Sequence, residues 1–65
     1  MTMKYSECGS LKTGFYSATN EDGKNVFIGR QEGHGWQISV PTHDGWYENI
    51  FYDEDGNVEA VTYGK

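Results

Sequence analysis

The chain has 65 residues, ten carboxylates against five basic side chains, and one cysteine. That length holds one domain with one core, the lone Cys8 excludes an intramolecular disulfide, and no stretch approaches the ~20 apolar residues of a membrane span. Hydrophobic residues make up 35% of the chain and aromatics 15%, so a few large side chains must supply most of the buried area.

In chain order, residues 1–12 contain no apolar run of signal-peptide length and read as a short irregular arm. A single helical turn within residues 2–11 is the most it admits, because Gly9 opposes extension. Turn signals then recur at short intervals: Asn20-Glu21-Asp22-Gly23, Glu32-Gly33-His34-Gly35, Thr42-His43-Asp44-Gly45 and Asp53-Glu54-Asp55-Gly56-Asn57. Glycine takes positive φ freely, while Asp and Asn side chains bond to backbone N–H groups nearby. The β-branched and aromatic runs between these signals predict strands over residues 13–19, 26–30, 36–40, 46–52 and 58–63. The expectation is all-β: one domain over 1–65, an antiparallel meander of about five strands over 13–63, strongly curled or barrel-like. Strands four and five carry apolar residues on both faces, which means either a closing barrel or a sheet with a docking face, and the curled sheet is the expectation.

Alternation sets the faces. Trp36, Ile38 and Val40 share one side of the third strand, Val26 and Ile28 share one side of the second, and Phe27 lies opposite. In the fourth, Trp46, Ile50 and Tyr52 oppose Tyr47 and Phe51; in the fifth, Val58 and Ala60 oppose Val61 and Tyr63. Trp36, Phe27 and one of Tyr47 or Phe51 are the expected aromatic core. Pro41 donates no ladder bond and suits a strand exit. The segment from Phe51 to Gly64 resembles one unit of the tyrosine-aspartate repeats of large β-shell proteins, over about a fifth of the chain. The shared residues are those of any Asp-Gly-Asn hairpin, so the resemblance implies a hairpin and no function.

Most catalytic and metal readings fail on spacing. Asp53-Glu54-Asp55-Gly56-Asn57 starts like a calcium loop, but Val58 stands where the sharp turn needs glycine and Gly64 where the closing glutamate belongs. His34 and His43 flank the third strand and fall ~20 Å apart, too far to share a metal. Cys8 with either histidine suggests a thiol and its base, but so short a chain offers no obvious cleft and no orienting partner is identifiable. Glu48 and Glu59 on neighbouring strands suggest no more than a solvated carboxylate pair. The Gly29 to Gly35 stretch has no helix after it to cradle phosphate. No cofactor, metal or catalytic residue is expected.

Charge is the stronger signal. From Asp44 onward stand Asp44, Glu48, Asp53, Glu54, Asp55 and Glu59 against Lys65 alone, amid Trp46, Tyr47, Phe51, Tyr52 and Tyr63. Such a field attracts basic partners and opposes nucleic acid, whose binding requires phosphate neutralisation. The expectation is a non-catalytic acidic protein-binding module of the cytoplasm. It would use Asp53, Glu54, Asp55 and Glu59 for steering and Trp46, Tyr47 and Tyr52 as anchors. In size and charge it is similar to phage and mobile-element accessory proteins that inhibit nucleic-acid-binding host proteins by charge mimicry. The alternatives are a homo-oligomeric structural protein, possible as a homodimer, and a binder of small ligands or carbohydrate through an aromatic face.

Overall fold

The computed structural model describes residues 4–65. A 3-10 helix, Tyr5–Ser10, precedes five strands: β1 (Gly14–Thr19), β2 (Asn25–Gln31), β3 (Gly35–Pro41), β4 (Tyr47–Tyr52) and β5 (Val58–Gly64). They form one antiparallel sheet in the order β1-β2-β3-β4-β5. No helix among the described residues is long and apolar enough to cross a membrane. The meander is as the turn chemistry predicts. Part of the expected arm is a 3-10 helix packed against β3, not irregular chain. Thr2, the start of the predicted turn, lies outside the described residues.

Three of the four hairpin turns follow directly from their residues. Asp44 and Gly45 both have positive φ, 54° and 79°, the pair of values a two-residue hairpin with the sheet's own twist requires. The β1–β2 and β4–β5 turns share a second design. Asn20 Oδ1 accepts the backbone N–H groups of Asp22 and Lys24, each at 2.9 Å. Asp53 Oδ1 accepts those of Asp55 and Asn57, also at 2.9 Å. In both, a glycine with positive φ closes the loop (Gly23 and Gly56). Asn20 also reaches beyond its own turn. Its amide donates to the Tyr5 hydroxyl at 3.2 Å, tying the first hairpin to the N-terminal helix.

The core lies on one face of the sheet. Cys8 from the helix meets Val26, Ile28, Trp36 and Ile38, with Val26 and Ile38 fully buried. Trp36 is the clasp: its indole N–H donates to the Tyr5 carbonyl at 2.8 Å, and its ring stacks on Tyr52 with centroids 5.5 Å apart. Register aligns Arg30, Trp36 and Tyr52 side by side across β2, β3 and β4, and the Arg30 guanidinium sits 5.4 Å from the Trp36 ring centre. Arg30 is itself buried. It donates to the carbonyls of Gln31 at 2.7 Å, Gly35 at 3.0 Å and Gly9 at 3.1 Å, so helix and sheet are stitched by one charged fork.

The sheet does not close. β1 and β5 are opposite edges, and the molecule measures 33 × 25 × 18 Å, a slab and not the expected barrel-like curl. The reason lies in side-chain volume. Tyr16, Arg30, Trp36 and Tyr52 share one face by register, and a five-stranded lumen is too narrow for them, since eight strands just leave room for side chains. The 3-10 helix covers that face instead. A bulge also breaks the predicted pattern of the last strand: Phe51 pairs with Ala60 and Tyr52 with Val58, leaving Glu59 as the extra residue. Val58 and Ala60 consequently face opposite ways.

Candidate functional site

The second face of the sheet carries no covering element among the described residues. Register writes its rows directly. One runs Phe15, Gly29, Gln37, Phe51, Ala60 across the strands, and the next runs Ser17, Phe27, Ser39, Asn49, Thr62. Beyond these, Pro41 and Tyr47 face Gly64. Phe27 and Tyr47 meet at 6.3 Å between ring centres, tilted by 54°. Phe27 is therefore not the core residue that the aromatic count predicts; it is 45% exposed. Its position opposite Val26 and Ile28 is the sequence signal that already placed it outside.

At the centre of this face lies a polar patch. Ser39 Oγ donates to Asn49 Oδ1 at 2.8 Å, and the Gln37 amide donates to Ser39 Oγ at 3.2 Å. Between the patch and the sheet's end, a groove of about 450 Å³ opens among Phe15, Gly29, Gln37, Phe51, His34 and Glu59. Its floor is low because Gly29 and Gly35 carry no side chains. Phe15 leans over Gly29, where a Cβ would stand 3.7 Å from its ring, yet Phe15 remains 95% exposed. Arg30 also contributes to the wall, with its guanidinium turned to the covered face by the Gly9, Gln31 and Gly35 bonds. Phe15 and Gln37 have no place in the sequence-derived site, since neither lies in the acidic third.

The residues of that predicted site do not meet in one patch. β4 separates them: Asp53, Glu54, Asp55 and Glu59 lie at one end of the sheet, while Trp46 and Tyr47 lie at the other, ~20 Å away. Tyr52 faces the core and stacks on Trp36, and burial pushes its phenol pKa up, helped by neighbouring Tyr5 and Cys8. Trp46 is 40% exposed, with the Lys65 ammonium 5.3 Å from its ring centre. Tyr47 lies on the open face. Of the acidic set, Asp53 is occupied in its own turn; the N–H bond from Asn57 holds its carboxyl below the usual range.

Chain position sorts the remaining charges. Glu32, Asp53, Glu54, Asp55 and Glu59 gather with the β2–β3 and β4–β5 turns, and the N-terminal segment adds the exposed bases Lys4 and Lys12. The opposite end mixes Glu21, Asp22, Asp44 and Glu48 with Lys24 and Lys65. The groove is at the acidic end. Glu48 and Glu59 do not pair: the Tyr63 hydroxyl donates to Glu48 Oε2 at 2.8 Å, and that bond raises the Tyr63 pKa. His34 and His43 do fall at opposite ends of β3, and no cluster of three metal-ligating side chains occurs among the described residues. Cys8 is buried, which raises its thiol pKa against the pull of Arg30. A thiol so placed is a core residue more than a nucleophile.

Neither a family model, nor a curated protein, nor a solved structure matches this chain.

Proposed function

We propose that this chain is a non-catalytic binding module that docks the open face of its sheet onto a basic surface of another protein. One observation carries the reading: the chain's three phenylalanines, Phe15, Phe27 and Phe51, all lie on the uncovered face, with Tyr47 beside them. A sheet that needed them for stability would turn them inward with Ile38 and Val26. Rings around a small polar patch are instead the composition of interface centres. The broad side of the molecule, 33 by 25 Å, also matches the roughly 800 Å² that a standard interface takes from each partner. Carboxylates at the rim of that face supply steering toward a positive surface. Where the partner's surface serves nucleic acid, these carboxylates would occupy the phosphate positions, and the module would act as an inhibitor.

The test is capture from the native host with wild type, a Phe15→Ser/Phe27→Ser variant, and a Glu21→Gln/Asp22→Asn control. A partner retained by wild type and control but lost by the double phenylalanine variant supports the reading. A partner held equally by all three would move the docking surface off this face.

A second reading is favoured by the β5 edge, where Val58, Val61 and Tyr63 are 56%, 46% and 65% exposed on a strand paired only on its β4 side. Such an edge lacks lysine or proline to block pairing and suits a second copy of the chain. Sedimentation that shows a dimer abolished by Val61→Lys would favour it.

A further inference from the structure

We infer that the groove between Phe15 and Phe51 receives an arginine side chain of the partner. This rests on the docking reading above and adds to it the identity of the anchoring group. The two rings stand in one cross-strand row, separated at the backbone by Gly29 and Gln37. Three strand spacings put their Cα atoms ~14 Å apart, and Phe15 leans inward over Gly29. The slot is therefore walled by a ring at each end, with bare backbone at Gly29 and the Gln37 side chain beside it. A planar cation fits such a slot better than a round one, because guanidinium stacks on aromatic faces while its edges donate hydrogen bonds. Acceptors are in place: Glu59, freed from strand pairing by the bulge, lines the groove with the Gln37 side-chain amide.

Electrostatics point the same way. Glu32, Asp53, Glu54 and Asp55 lie at this end of the sheet and, among the described residues, outnumber the exposed bases Lys4 and Lys12 of the N-terminal segment. The one arginine of the chain, Arg30, is buried with its guanidinium bonded to three carbonyls, so it leaves the groove's acceptors free. The turn acids thus draw a cation toward the slot, and the rings and Glu59 select its shape. An anionic or sugar ligand would gain nothing from that field.

The experiment is an amide chemical-shift titration of the isotope-labelled protein with an oligo-arginine peptide and an oligo-lysine peptide of equal length. Arginine is expected to bind about tenfold tighter, equivalent to about 1.4 kcal/mol. Its shifts should centre on Gly29, Gln37, Phe51 and Glu59. Phe15→Ser and Glu59→Gln, both at exposed positions, should each remove most of that preference. Equal affinity for the two peptides, with shifts confined to the Asp53 to Gly56 turn, overturns the arginine assignment and leaves a basic partner intact. Shifts centred on Phe27 and Tyr47 move the anchor out of the groove and overturn it as well. Binding of neither peptide overturns both this assignment and the basic-partner reading.

Discussion

Replacing Arg30 by methionine tests the joint between helix and sheet. The substitution keeps most of the apolar stem and removes the fork that reaches Gly9, Gln31 and Gly35. Only the Gly35 bond is fully buried, so its carbonyl is the acceptor that water cannot reclaim, at about 1–3 kcal/mol. Loss of the Trp36 contact adds roughly 0.5–2 kcal/mol. Relief of the guanidinium's desolvation offsets part of this, since Nε is buried without an acceptor among the described residues. A net loss of about 3 kcal/mol is expected, against a total of only about 3–10 kcal/mol for a domain of this size. With a denaturant slope near 1 kcal/mol per molar, the urea midpoint followed by tryptophan fluorescence should fall by about 3 M or disappear. Arg30→Lys should lie between, because an ammonium cannot fork to three separated carbonyls. A methionine variant as stable as wild type would refute the argument: desolvation would then outweigh the bonds.

Gly35 and Gly33 both have positive φ, but a Cβ at Gly35 would collide with the Tyr52 carbonyl, whereas one at Gly33 would meet open space. Gly35→Ala is expected to prevent stable folding, and Gly33→Ala to cost about 1 kcal/mol, measured by circular dichroism melts. The matched turns predict unequal tolerances. Asp53→Asn keeps the Oδ1 acceptor and should lower the melting temperature at neutral pH only by the charge-assisted part of those bonds, while Asn20→Asp loses the donor to Tyr5 and buries a carboxylate, and should lower it more. Acid dependence follows in sign: Asp53 has a depressed folded pKa, so its stabilisation is present above the unfolded value and lost as pH falls through the folded one. A melting series below the usual carboxylate range should therefore be flatter in Asp53→Asn than in wild type. Cys8 should react with thiol reagents only as fast as the chain opens, so native labelling that matches the rate in urea would contradict its burial.

The legible part of the fold is the part written in local chemistry. Asn20, Asp44 and Asp53 with their glycines state where the chain reverses, and β3 states its own faces through Trp36, Ile38 and Val40. The openness of the sheet is not local. It depends on Arg30, Trp36 and Tyr52 falling into one row, and that row exists only once three strands are in register. The bulge at Glu59 is equally invisible, because alternation counted along residues 58–63 assumes no extra residue. The acidic third looks like one surface in sequence because neighbours along the chain need not be neighbours in space, and β4 carries Asp44 and Asp53 to opposite ends. What the site gained, Phe15 and Gln37, lies on strands without unusual charge. Their signal is parity against the buried positions, already visible for Phe27.

Every strand in this sheet pairs with its immediate neighbour in sequence, so four hairpins can zip independently, each closing a short loop. The links from Arg30 to Gly9 and from Trp36 to Tyr5 span far longer stretches of chain. The assembly order expected from that difference has the ribbon of strands come together first and the N-terminal turn close over it as a latch. A breathing molecule would lift the latch before it frays the ribbon, baring Trp36 and Cys8 while leaving the phenylalanine side intact.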